Sequence, residues 1–343
     1  MKLPHHSISA AALCLTSLAL APHARGADLT LPRDGWVTWE VAAVDGAPDW
    51  CCYADISWSS SEGFRKVPVT PCRLDGREQS IGNLDNATTE NFRIYVRTAG
   101  GAIDRLRAFS ATCPVNATTG IRDLGTLAAD DNARWLIDIA RQQNTGAREH
   151  DETDLEEDVL AALAISRGDV ARDGLAAIAR NDPNVETRKQ AVFWLARLRG
   201  REGADISASI MFNDRSADVR EHAAFSLSDS KSPRAAADLI RLGNTDANSN
   251  VRSQAWFWLA HNGAPEAENA IVAAIRKDAD DEVREQAVFA LSRLPDERAT
   301  KALIAVVEDR SQSRESRKQA IFWLAQSESD SAQSYLEQIL TTN

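Results

Sequence analysis

A nine-residue phrase, RKQAVFWLA, occupies Arg188–Ala196 and returns as RKQAIFWLA at Arg317–Ala325. Looser copies lie between: REHAAFSLS from Arg220, RSQAWFWLA from Arg252 and REQAVFALS from Arg284. The intervals from Arg to Arg are 32, 32, 32 and 33 residues. A fixed period of this length restricts the fold more than any other feature of the chain. A single unit cannot bury its own apolar face, so successive units must stack into an array.

With the Arg as zero and about 100° per residue, the Ala at +3, the apolar residue at +4 and the Leu at +7 fall on one stripe. That stripe predicts the buried face of a helix. Ala or Ser at +8 is small enough for a neighbouring helix to come close. The opposite strip is polar at +1 (Lys189, Glu221, Ser253, Glu285, Lys318), at +2 (mostly Gln) and at +9 (Arg197, Asp229, His261, Arg293, Gln326). In the middle of this strip, at +5, every copy carries a Phe: Phe193, Phe225, Phe257, Phe289 and Phe322.

Between the phrases, apolar periodicity predicts a first helix for each unit, at Asp169–Asn181, Ala204–Asn213, Ser232–Leu242, Pro265–Lys277 and Asp296–Glu308. The stretch SDSAQSYLEQIL closes the array. An Asp precedes each phrase (Asp182, Asp214, Asp246, Asp278, Asp309), six residues before the Arg in four copies and eight in the last. This recurrence predicts a structural ion-pair ladder between repeats, which makes Arg188, Arg220, Arg252, Arg284 and Arg317 scaffold rather than anion binders.

The Asp-turn, the V-R-x-x-A core and the small-Leu-small ending, as in DVREHAAFSLS and DEVREQAVFALS, resemble the HEAT-repeat superfamily, and most of all its phycobilisome-lyase HEAT-like short-repeat class. The resemblance covers roughly residues 150–343. It implies a right-handed α-solenoid of paired antiparallel helices whose second helices line a concave side. For activity it implies little, because the class holds bilin lyases and also repeats that only bind proteins. Deoxyhypusine hydroxylase, an enzymatic HEAT relative, holds iron with His-Glu pairs. Here the histidines beyond the leader are His150, His222 and His261, and none is followed by Glu.

On such a solenoid the phenylalanines have two readings. They form a ladder along the concave side, very roughly 35–40 Å long at ~8–10 Å per helix, flanked by Gln190, Gln254, Gln286 and Gln319. That surface suits an extended peptide or a partner's helix. Alternatively, each ring wedges against the next and against Lys and Arg stems as packing. At +6 the series Trp194, Ser226, Trp258, Ala290, Trp323 alternates large and small, which predicts side chains interdigitating between repeats. His222 and His261 read as single surface histidines.

Before the array the pattern is strand-like. WVTWEV (Trp36–Val41) alternates loosely, and FRIYVRT-AGG-AIDRLRAFSATC reads as a hairpin around Ala99–Gly101. A β domain of five to seven strands is expected, with Trp36, Trp39, Trp50 and Trp58 in its core. The cysteines outside the leader, Cys51, Cys52, Cys72 and Cys113, are an even set and predict disulfides, with all three pairings open. DDNARWLIDIARQQN (Asp130–Asn144) then predicts an amphipathic helix with Trp135, Leu136 and Ile139 on one face. Seven carboxylates follow between Glu149 and Asp158, and Thr153 with Glu156 reads as a capping box rather than a calcium loop.

The first residues read as a secretory leader, with Lys2, an apolar core from Ile8 to Ala21, and Ala24 and Gly26 before the expected cleavage. The expected organisation is a leader at 1–26, a disulfide-bonded all-β domain at 27–120 and an all-α HEAT-like solenoid at 121–343. Divergent capping helices occupy 121–168, and five clear repeats occupy about 170–343. Loss of the leader removes Lys2 and Arg25 and no acids, so 37 basic residues face 50 acidic ones and the net charge is −13. That balance argues against nucleic acid and anionic lipid as partners.

The solenoid contains no cysteine, and its carboxylates recur with the array, as structural groups do. The expected function is a periplasmic or secreted protein-binding scaffold, not inserted in a membrane, with no catalytic residue, metal or cofactor. Two alternatives remain at this point: a lyase or isomerase like the bilin lyases, and a redox module using Cys51-Cys52.

Overall fold

The computed structural model describes residues 29–57, 64–68, 71–76, 87–143 and 155–341. Residues 1–26, expected as a leader, together with Trp58, His150, Thr153 and most of the acidic run from Glu149, lie outside the described residues. The described strands are β1 (Gly35–Ala42), β2 (Tyr53–Ser57), β3 (Phe64–Pro68), β4 (Cys72–Arg73), β5 (Asn91–Ala99), β6 (Ala102–Ser110), β7 (Val115–Asn116) and β8 (Ile121–Thr126). Four of them form one sheet in the order β6-β5-β1-β8, antiparallel except between β1 and β8. β2 pairs with β3, and β4 with β7. Two of the eight are only two residues long, which accounts for a count above the five to seven expected.

The hairpin expected at Ala99–Gly101 joins β5 to β6. Gly100 and Gly101 have φ of 62° and 90°, the left-handed pair that a two-residue hairpin turn requires. The loose alternation of β1 also has a physical cause, because this central strand is buried on both faces. Val37, Trp39 and Val41 face the helices, while Trp36 faces a smaller cluster with Tyr95, Phe109, Leu74 and the cysteines. In that second cluster the bridges are Cys51–Cys113 and Cys52–Cys72, and the Sγ atoms of Cys72 and Cys113 lie 3.5 Å apart. Cys51 and Cys52 thus bond to different partners, and the vicinal pair that a redox module would need is not formed.

The helices begin with α1 (Ala129–Gln143) and α2 (Leu155–Ile165). Five pairs follow: α3 (Asp169–Asn181) with α4 (Val185–Leu198), α5 (Gly200–Asn213) with α6 (Ala217–Ser228), α7 (Ala235–Thr245) with α8 (Ser249–Asn262), α9 (Ala267–Lys277) with α10 (Asp281–Ser292), and α11 (Asp296–Glu308) with α12 (Arg314–Ala325). α13 (Asp330–Thr341) closes the described chain. The residues at +3, +4 and +7 of the phrase are buried in every repeat, except for Ile321 in the last. The third repeat places a Trp at +4. Trp256 is fully buried because Gly243 on α7 leaves room for it, and a Cβ at Gly243 would lie 2.5 Å from the indole Cε2.

Strands and helices share one apolar core, which runs from Val37 in the sheet to Ala332 in α13. β8 carries the sheet past the expected boundary at 120. A buried polar chain ties the two parts together: the Trp39 indole donates to Asn132 Oδ1 (2.8 Å), Asn132 Nδ2 to Ser166 Oγ (2.8 Å), and Ser166 Oγ to the Ala162 carbonyl (2.7 Å). Arg107 of β6 also pairs with Asp158 of α2. The end of α2 is closed by Arg199, whose Nη2 donates to the carbonyls of Leu163 (2.8 Å) and Ser166 (2.7 Å). Burial, together with the charge of Arg172, lowers the Arg199 pKa to about 10, so it remains cationic at neutral pH.

Each Asp before a phrase caps the end of a first helix, and its Oδ1 accepts the N–H of the second residue after it, as Asp214 does from Ser216 (2.8 Å) and Asp246 from Asn248 (2.8 Å). The same carboxylate is gripped by the Arg of the preceding phrase. Arg188 holds Asp214, Arg220 holds Asp246 and Arg252 holds Asp278, each through two hydrogen bonds of 2.7–3.1 Å. The remaining Nη1 donates back to the carbonyl of the Asp in its own repeat. The ladder breaks at the fourth rung. There Asp309 stands one residue too early for the register and holds Arg276, while Arg284 pairs with Asp281.

Candidate functional site

The even-numbered helices α4 to α12 pack closely on one another, whereas the successive odd-numbered helices from α3 to α13 touch sparsely. The tighter row is the inside of the bend, so the polar strip of the phrase faces the inner side. Along it the phenylalanines do not stand apart as separate rungs. Phe193 and Phe225 stack nearly parallel (centroids 6.1 Å, interplanar angle 9°), as do Phe257 and Phe289 (5.9 Å, 15°). Between these pairs Phe225 meets Trp258 (4.8 Å), and Phe289 meets Trp323 (5.0 Å).

The alternation at +6 decides which contact forms. Where the next repeat carries Ser226 or Ala290, the Phe reaches the next Phe. Where it carries Trp258 or Trp323, the indole fills the step. The tryptophans therefore interdigitate between repeats as the size alternation predicts. Trp194 is buried, and it also meets Trp50 of the β domain (5.6 Å), which continues the aromatic row into the sheet region.

Both readings of the phenylalanines contribute to the observed geometry. Phe193, Phe225, Phe257 and Phe289 are half-buried by their stacking, and Phe322 at the open end is 54% exposed. The unstacked parts of Phe225, Phe257, Phe289 and Phe322 line three adjoining grooves. The first, about 580 Å³, includes Asp218, Glu221, His222, Phe225, Gln254 and Trp258. The second, about 500 Å³, shares Glu221 and Gln254 with it and adds Asn250, Phe257, Glu282, Gln286 and Phe289. The third, about 460 Å³, shares Gln286 and Phe289 and adds Glu285, Gln319, Phe322 and Trp323.

The structure thus brings Phe225, Phe257, Phe289, Phe322, Gln254, Gln286 and Gln319 onto one continuous surface. Phe193 and Gln190 sit at its β-domain end, where the Arg197 guanidinium lies 5.9 Å from the Phe193 ring centroid. Sequence reasoning missed His222 as a member of the face. It occupies the +2 position held by Gln in the other copies and packs against Phe225 (5.4 Å) and Phe193 (6.5 Å). Burial, then the charge of Lys189, lowers its pKa, which favours the neutral ring. The carboxylates Asp218, Glu221, Glu282 and Glu285 were also missed as a group. Burial and the neighbouring Asp218 raise the Glu221 pKa.

Among the described residues no group of three or more His, Cys, Asp or Glu is arranged to hold a metal ion, and no helix is long and apolar enough to cross a membrane. Comparison with known proteins addresses the solenoid. Residues 172–260 and 243–321 match the family described as HEAT repeats, without distinguishing the phycobilisome-lyase class within it. No curated protein matches the chain. Among solved structures, human deoxyhypusine hydroxylase in complex with glycerol is similar over 59% of this chain and 76% of its own, at 14% identity and a TM-score of 0.31. From residue 172 to residue 321, this chain is a HEAT-repeat array.

Proposed function

We propose that this protein is an exported, non-catalytic scaffold that holds a segment of another protein along the inner row of its solenoid. The reading is carried by the unbroken aromatic row from Phe225 to Phe322, whose ring edges and amide neighbours line three adjoining grooves. Arrays of stacked helix pairs characteristically use such extended concave surfaces for binding. Half-exposed rings beside hydrogen-bonding amides are the composition of an interface centre. Two disulfides and the leader-like residues 1–26 support export, since bridges persist in oxidising compartments.

The test immobilises the protein and captures partners from the envelope fraction of its source. Beside it runs a variant with Phe225, Phe257 and Phe289 changed to Ser and its helicity verified by circular dichroism. A protein retained by the parent and lost by the folded variant supports the reading. Equal retention by both assigns the phenylalanines to packing alone and turns the search toward the sheet.

A further inference from the structure

The carboxylates of the inner face carry a charge pattern that packing does not require. At the +1 position the repeats read Lys189, Glu221, Ser253, Glu285, Lys318. The two end lysines are neutralised within their own helices, Lys189 by Glu186 (2.9 Å) and Lys318 by Glu315 (3.2 Å). The two central acids, Glu221 and Glu285, form no ion pair among the described residues, and neither do Asp218 and Glu282 beside them. All four line the grooves over the aromatic row, where the only cation is the already paired Lys189. Burial, then Asp218, act against the charge of Glu221 and outweigh the more distant charges of Arg220 and Lys189.

Position and spacing limit what can supply that cation. Glu221 and Glu285 occupy the same repeat position two helices apart, a span of about 16–20 Å. A polyproline II segment repeats every three residues and about 9 Å, so residues six apart face the same way about 19 Å from each other. The aromatic floor suits the apolar stem of an Arg or Lys whose charged head ends at a carboxylate. Gln254, exposed on the helix between the two acids, and Gln286, exposed beside Glu285, are placed to bond the backbone that a polyproline II chain leaves unpaired.

We propose that the inner face binds a proline-rich extended segment of another protein through two basic side chains six residues apart, one at Glu221 and one at Glu285. This rests on the scaffold reading and specifies the chemistry of its partner.

The test uses the full chain and a fluorescein-labelled proline-rich decapeptide with two arginines six residues apart, read by fluorescence anisotropy. One control peptide places the arginines four apart, and a second replaces both by glutamine. The matched peptide is expected to bind about tenfold more tightly than the glutamine peptide, and several-fold more tightly than the four-apart isomer, whose arginines point to different sides. Glu221→Gln with Glu285→Gln should abolish both preferences while leaving the fold intact, since neither acid is paired.

Equal binding of the two arginine isomers would reduce the effect to unregistered charge attraction and overturn the proposal. Equal binding of the glutamine peptide, lost in the triple Phe variant, would overturn the basic-partner inference and leave the scaffold reading standing. No binding by any peptide would also overturn the proposal, with the scaffold reading still judged by partner capture.

Discussion

Arg220 grips the carboxylate of Asp246 across a repeat boundary, Nε to Oδ2 at 2.7 Å and Nη2 to Oδ1 at 2.9 Å, while its Nη1 holds the Asp214 carbonyl at 2.9 Å. One guanidinium thus fastens two successive inter-helix turns, in the planar fork geometry that lysine cannot reproduce. Asp246→Asn keeps the turn hydrogen bond and removes the ion pair. It should lower the unfolding free energy by about 3 kcal/mol, the low end for a largely buried pair left half-made. Urea titration followed at 222 nm measures this. Arg220→Met combined with Asp246→Leu should recover part of the loss.

The ladder also sets the response to acid. Burial works against the charged forms of Asp246 and Asp278. The hydrogen bonds from Arg220 and Arg252, the backbone N–H groups of Asn248 and Asp280, and the arginine charges outweigh it, so both pKa values are lowered. A carboxyl with a lowered folded pKa contributes stability that is present above its unfolded pKa and is lost as pH falls through the folded one. The melting temperature should hold steady down to about pH 4, near the unfolded aspartate value, and fall below it. Asp246→Asn with Asp278→Asn should melt lower at neutral pH and show a shallower fall in acid.

Gly243 lies under the Trp256 indole with no space for a methyl group. Gly243→Ala should destabilise the protein by roughly 1–3 kcal/mol through overpacking, despite alanine's better helix propensity. Adding Trp256→Val, the residue found at this position in the first and fourth repeats, should remove the clash. Thermal melts of the single and double variants separate the two effects.

The two bridges close segments of different length, with sequence separations of 62 for Cys51–Cys113 and 20 for Cys52–Cys72. Non-reducing proteolysis and mass spectrometry should recover these two pairs and no Cys51–Cys52 peptide. Replacing Cys51 and Cys113 together by Ser should cost about 2–4 kcal/mol, and slightly more than replacing the other pair, because the longer loop restricts the unfolded chain more.

Much of this architecture was legible because it repeats. The +3, +4 and +7 stripe, the first helices and the Asp–Arg recurrence are each stated five times, so local ambiguity averages out. The register of the ladder was not legible, because an Arg six residues after one Asp and 26 before the next offers two partners, and only the fold shows that it uses both. The shared core was hidden because β1 is buried on both faces, which erases the alternation by which a half-exposed strand is recognised. The cysteine pairing depends on tertiary placement. Glu221 and Glu285 escaped notice because +1 is polar in every copy. Periodicity marks that position as outward-facing and does not say which of its side chains lack a partner.

The alternation of large and small residues at +6 has a consequence for how such an array can change length. Phe193 needs Ser226 beyond it to reach Phe225, and Phe225 meets the Trp258 indole of the following repeat. Removing or duplicating a single 32-residue unit would set two small rungs, or two indoles, side by side. Removing or duplicating two units would restore every contact. The solenoid therefore obeys a parity rule: its unit of growth is the pair, although its sequence is written one repeat at a time.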